Sequence, residues 1–188
     1  MSSNVKSSPA THGLPTVLLL ASGRGERFRA SGGSTHKLQA VLGGQTVLER
    51  TLAVVQASGL PWHLEQQGLS GMGDSIAAAV AATPHTNGWL VLPADLPLVR
   101  SDTLLAVAHA LAHHSVVVPV FEGQRGHPVG FDASCGADLL NLKGNRGGAQ
   151  VVSARAAIEL IVNDAGITFD IDTVQDLQRA ENWLLSRS

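Results

Sequence analysis

Residues 16–21, Thr-Val-Leu-Leu-Leu-Ala, form an apolar stretch that runs at once into Ser22-Gly-Arg-Gly25. A strand wet on one side alternates apolar and polar residues, whereas an unbroken apolar run belongs to a strand covered on both faces, as in a parallel sheet flanked by helices. Parallel neighbours need long crossovers, usually helical ones, and the remaining sequence supplies them. Helical spacing predicts a helix over 46–58, closed by Gly59. A second strand is expected over 61–66, then an alanine-rich helix over 74–82 that Pro84 stops. Trp89-Leu-Val-Leu92 reads as a third strand, 102–113 as a helix with Ser101 as its N-cap, and 116–120 as a fourth strand. A helix near 148–160, a strand near 168–171 and a terminal helix over 174–185 complete the pattern. The expected fold is α/β: a Rossmann-like open, mainly parallel sheet with helices on both faces, which binds ligands beyond the carboxyl ends of its strands.

The chain of 188 residues fits one such domain, expected over 16–188, preceded by a flexible tail over 1–15 rich in Ser, Thr and Pro. A net charge of −2, aromatics at 4% and the absence of Tyr argue against a nucleic-acid surface, so any anion site has to be local. The early apolar run is too short to cross a bilayer or to serve as a secretory signal, and the single cysteine, Cys135, excludes an internal disulfide. These features predict a cytoplasmic protein without membrane partners.

The glycine-containing turn after the first strand carries the strongest chemical signal. Gly23 and Gly25 let successive backbone N–H groups face an anion, and Arg24, Arg27 and Lys37 can add cationic donors. No Gly-Lys-Ser/Thr closes the turn, and Phe28 stands where a dinucleotide fingerprint has its last glycine. Ala94-Asp-Leu-Pro-Leu98 puts Asp95 at the carboxyl end of the third strand, where a carboxylate suits Mg²⁺. Gly71-Met-Gly-Asp-Ser75 opens the alanine-rich helix with amides and a hydroxyl facing outward. His109 and His113 share a helix face at a spacing that suits a metal, but without an accompanying Glu they read as a solvated face. Asp172 or Thr173 reads as the cap of the last helix, with Asp176 in its first turn.

In order, Leu20-Ala-Ser-Gly-Arg-Gly-Glu-Arg-Phe28, Lys37, Gly71-Met-Gly-Asp-Ser75, Asp95-Leu-Pro97, Gly126-His-Pro128, Gly144-Asn-Arg-Gly-Gly-Ala149 and Asp170-Ile-Asp-Thr173 resemble the motifs of the molybdenum cofactor nucleotidyltransferases, closest to their cytidylyltransferase branch. The resemblance implies a fold of the nucleotide-diphospho-sugar transferase type and Mg²⁺-dependent transfer of CMP from CTP to the phosphate of molybdopterin, with a molybdoenzyme as a possible client. Carried over residue by residue, it assigns Leu20, Ala21, Ser22, Gly23, Arg24, Gly25, Lys37, Gly71, Met72, Gly73, Ser75 and Asp95 to the nucleotide. Arg27, Lys37 and Asp95 become catalytic, His127 and Pro128 meet the acceptor, and Asp95 with Asn145 holds the metal. Asn145 replaces the family's aspartate, Ser22 stands where the guanylyl branch's Leu-Ala-Gly-Gly has its extra glycine, and the stretch from 59 to 71 is short for the family. Transfer from GTP, a sugar or polyol phosphate acceptor, and a non-catalytic cofactor carrier remain as alternatives.

Overall fold

A computed structural model describes residues 13–69 and 71–186; residues 1–12 of the expected tail lie outside the described residues. Strand β1 (Thr16–Leu20) pairs in parallel with β4 (Trp62–Glu65) on one side and β5 (Gly88–Pro93) on the other. Every residue of β1 is buried, and successive side chains go to opposite faces. Val17 and Leu19 join a core with α2 (Val47–Ala57), α4 (Ser101–Ala110) and α7 (Val174–Leu185). Leu18 and Leu20 join a second core with α3 (Met72–Ala81), α5 (Gly136–Leu140) and α6 (Ala149–Ala154). An unbroken apolar run is what two such cores demand of one strand.

Beyond β5 the sheet is mixed. Strand β8 (Val129–Asp132) lies antiparallel between β5 and β6 (Val116–Phe121), and β9 (Ala157–Ile161) pairs in parallel with β6. A two-residue strand, β7 (Gln124–Arg125), folds back on β6. Five of the seven strands in this sheet, β4, β1, β5, β6 and β9, therefore point the same way. A hairpin of β2 (Val41–Leu42) and β3 (Gln45–Thr46) stands apart from the main sheet, and the short helix α1 (Glu26–Ala30) follows the glycine turn. Among the described residues no helix is long and apolar enough to cross a membrane.

Several sequence expectations need correction. The helix expected over 148–160 ends at Ala154, and β9 follows it. Pairing with β6 along its whole length outweighs the local helical appearance of an alanine- and valine-rich stretch. No strand forms at 168–171, where a 3-10 turn, Ala165–Thr168, leads into extended chain. Strand β8 begins at Val129, inside a stretch to which the sequence assigned no element. Ser101 lies inside α4. The N-cap position falls to Arg100, which makes no side-chain cap, and the Arg100 amide donates to Asp164 Oδ2 at 2.9 Å instead. In the short stretch after α2, β4 is followed by α3 with no further element among the described residues.

Candidate active site

The carboxyl ends of β1 and β5 open into a cleft of about 540 Å³ lined by Ser22, Gly23, Arg24, Gly25, Arg27 and Lys37, with Gly71, Met72, Asp95, Asn145 and Asp172 completing it. The glycine turn owes its shape to Gly25, which has φ +64 at the start of α1, a conformation that costs a side-chain-bearing residue energy. A Cβ there would also come within 3.3 Å of the His36 ring. His36 ties the turn down: its Nδ1 accepts from the Leu38 amide at 3.3 Å, which leaves Nε2 to donate to the Gly23 carbonyl at 2.7 Å. This bond holds the turn against the 3-10 segment Lys37–Gln39, whose first residue points into the cleft. Sequence reasoning passed over His36 because a lone histidine in a loop has no distinguishing spacing.

Asp95 is placed by backbone on both sides. The Ala94 amide donates to Leu20 O at 2.9 Å, and the buried Thr51 hydroxyl of α2 donates to Ala94 O at 2.9 Å. The Asp95 carbonyl accepts from the Ile171 amide at 2.9 Å, which draws the segment before α7 alongside it. Asp172 consequently enters the cleft. Of the two cap candidates for α7, Asp172 and Thr173, the structure selects Thr173, in a capping box with Asp176, and the Asp172 side chain is free for other partners.

Those partners are cations. Lys37 Nζ donates to Asp95 Oδ2 at 2.6 Å and to Asp172 Oδ1 at 2.7 Å, and Arg27 donates to Asp172 Oδ2 at 2.7 Å. Burial works against the Lys37 ammonium, but the two carboxylates outweigh it and hold its pKa above the ordinary 10.5. Burial likewise raises Asp172, yet Lys37 and Arg27 overcome that effect and bring its carboxyl below the ordinary 3.8. Asp170, nearby, is pushed up by burial, with the charges of Asp172 and Asp95 adding to it.

Of the other residues singled out in the sequence, Leu20 lines the cleft and Ala21 anchors its floor, donating to Glu65 O at 2.8 Å. Ser75 is fully buried in the first turn of α3, and its hydroxyl meets that of Ser22 at 2.7 Å. Gly71 and Gly73 let the turn Gly144–Arg146 approach α3. A Cβ on Gly71 would lie 2.4 Å from the Gly144 carbonyl carbon, and one on Gly73 2.9 Å from the Gly144 oxygen. Asn145 is thereby held over Gly71, where its Oδ1 would be 2.8 Å from such a Cβ. It makes no hydrogen bond to the Lys37 cluster. His127 and Pro128 stand apart from this cleft. His127 lines a separate cavity of about 370 Å³ with Ile76, Val129, Phe131 and Arg146, and Met72 borders both spaces. Burial pushes the His127 imidazole down, with Asp95 partly offsetting it, so the ring is neutral near pH 7. His109 lies at the opposite, amino end of the strands, in a cavity of about 680 Å³ that His113 does not line.

The topology is that of the Rossmann-like nucleotidyltransferase fold. Rv0371c from Mycobacterium tuberculosis H37Rv superposes with a TM-score of 0.75 at 22% identity, over 90% of this chain and 98% of that one. That protein has also been solved as a complex with manganese. The chain belongs to the MobA-like NTP transferase domain family, which it matches over residues 52–159. It is 30% identical over 139 residues to the bifunctional protein GlmU of Xanthomonas oryzae pv. oryzae, covering 61% of this chain and 29% of that protein. It is 31% identical over 119 residues to the purine catabolism protein PucB of Bacillus subtilis, covering 61% of this chain and 58% of PucB. The chain thus spans less than two thirds of the length of either relative.

Proposed function

We propose that the protein transfers CMP from CTP to the phosphate of molybdopterin, releasing pyrophosphate, with Mg²⁺ as cofactor. The arrangement that carries the reading is the Lys37 ammonium clasped by Asp95 and Asp172 at the floor of a cleft walled by the glycine turn. The turn's amides with Arg24, Arg27 and Lys37 suit a triphosphate. The acceptor comes from the seven motifs from Leu20 to Thr173, taken together with membership of the family. Ser22 in place of a glycine, its hydroxyl pinned to Ser75, narrows the wall and favours the smaller pyrimidine base.

The residues present fit a divalent ion. Asp95 Oδ1 is buried without a hydrogen-bond partner, a costly state for a carboxylate oxygen, while Oδ2 shares one cation with Asp172. In this reading Asp172, rather than Asn145, joins Asp95, because those two carboxylates already converge on one point and Asn145 stands over Gly71. A bound Mg²⁺ would supply positive charge to the phosphate oxygens and leaving group. The chain's own groups position the partners. Backbone amides from Ser22 to Gly25 hold the polyphosphate, Lys37 and Arg27 stabilise its charge, and Gly71 and Met72 face the base and ribose, while Gly73 and Ser75, turned away from the cleft, support that wall from behind. An acceptor phosphate oxygen, already ionised at neutral pH, attacks the α-phosphorus; the bond to the bridging oxygen breaks and pyrophosphate departs. His127 and Pro128, across Met72, meet the acceptor.

A melting-temperature panel with CTP, GTP, ATP and UTP in the presence of Mg²⁺, followed by pyrophosphate release on adding molybdopterin, tests the reading. At about one hundred times Kd, bound nucleotide adds about 2.7 kcal/mol to stability, so CTP should raise the midpoint most. No shift with any nucleotide would sink the proposal. A shift without pyrophosphate release on molybdopterin would move the acceptor to another phosphate compound or make the protein a carrier.

A further inference from the structure

One nitrogen lies 2.6 Å from an oxygen of Asp95 and 2.7 Å from an oxygen of Asp172, and the Lys37 side chain that carries it is only 11% exposed. Two carboxylates are thus balanced by two cations, Lys37 and Arg27, before any ligand arrives. A divalent ion placed on the same oxygens would meet the ammonium at bonding distance, where like charges repel strongly at the low effective dielectric of a shielded site. Lys37 also has somewhere to go. Its stem runs beside the glycine turn, with Cε 4.0 Å from where a Cβ on Gly23 would sit. A lysine stem is flexible enough to swing toward that turn without moving the backbone.

We propose that Lys37 is a tethered plug in the divalent-metal position, so that the cleft admits metal only together with a polyphosphate that draws the ammonium off Asp95 and Asp172. The proposal rests on the nucleotidyl-transfer reading and adds to it the form in which ligand enters: a metal–polyphosphate complex rather than free metal followed by nucleotide. Lys37 then serves twice, shielding the carboxylates in the resting protein and binding phosphate in the loaded one.

Manganese retained with the full chain on ultrafiltration tests this, with and without inorganic tripolyphosphate as a base-free probe. The wild type is expected to hold manganese at least about tenfold more tightly with tripolyphosphate than alone. Lys37→Met should hold free manganese at least about tenfold more tightly than the wild type and gain little from tripolyphosphate, whereas Lys37→Arg, which keeps the charge, should behave as the wild type does. The wild-type comparison stands even if Lys37→Met fails to fold. Equal retention of free manganese by the wild type and Lys37→Met, or wild-type retention unaffected by tripolyphosphate, would overturn the plug. No retention by any form even with tripolyphosphate would instead overturn the nucleotidyl-transfer reading on which it stands.

Discussion

Asp172 shows how a single side chain changes meaning once its neighbours are known. In the sequence it sits two residues ahead of a helix, where an aspartate serves as a cap. In the fold the neighbouring Thr173 does the capping, and Asp172 takes Lys37 and Arg27. Its folded pKa is depressed, so its contribution to stability is present above the ordinary carboxylate value of 3.8 and is lost as pH falls through the folded value. Lys37 has the opposite sign. Its raised pKa keeps its contribution intact below 10.5 and loses it only at still higher pH. Asp172→Asn should therefore cost about 1 kcal/mol at pH 7, modest because the group is partly exposed, and the gap from the wild type should close as the solution is acidified below pH 3.8. Urea midpoints from pH 7 downward measure this; a gap that stays constant into strong acid would show that the ion pairs contribute nothing.

Among the secondary-structure elements, those defined by their own residues were legible in the sequence. Strand β1 has its unbroken apolar run, α2 has Thr46 and Glu49 in a capping box, and α7 has Thr173 and Asp176 in another. Elements defined by partners were not. Strand β8 contains a glycine and follows a proline, and only its ladders with β5 and β6 make it a strand. Strand β9 has helix-compatible composition and takes its conformation from β6. The same division runs through the candidate site. The glycine turn, Lys37 and Asp95 could be found locally, whereas Asp172 reaches Lys37 across 135 residues of chain and depends on the Ile171 amide bonding to Asp95. The start of α7 is thus a positioning device. Thr173→Ala should cost about 1 kcal/mol through the lost cap. It should also lower turnover, because Asp172 is the residue immediately before that cap. Conservative Thr173→Ser should restore both, and a variant with the stability loss but unchanged turnover would show that the cap does not hold the carboxylate in place.

Across the whole molecule, a buried carboxylate outside the cleft lining joins the early and late parts of the chain. Asp164 is 4% exposed and accepts from the Arg100 amide at 2.9 Å, the Thr103 hydroxyl at 2.6 Å and the Gly166 amide at 2.9 Å. It caps α4 from the segment that returns from β9, so the late chain is fastened to the helix that follows the Asp95 loop. Asp164→Ala leaves these donors unsatisfied and should destabilise the protein by about 3 kcal/mol. Thermal unfolding checks this, and a loss below about 0.5 kcal/mol would mean that water replaces the carboxylate.

The reversal of β8 has an outcome for how this architecture can diversify. A strand running against its neighbours begins where they finish: Val129, its first residue, pairs with Val91 late in β5, and Asp132, its last, pairs with Gly88 at the beginning. His127 is delivered to the carboxyl-end side of the parallel strands by the entry to a strand, while the glycine turn and Asp95 arrive at the exits of two others. The two sets of residues hang from separate hairpins and crossovers. The segment that brings His127 is nonetheless tied to the late chain: the His127 amide donates to Ile167 O at 3.0 Å, and a Cβ on Gly126 would lie 2.4 Å from that same oxygen, so a change of length or bulk here is felt first at Ile167, four residues before the Ile171 amide that bonds to Asp95.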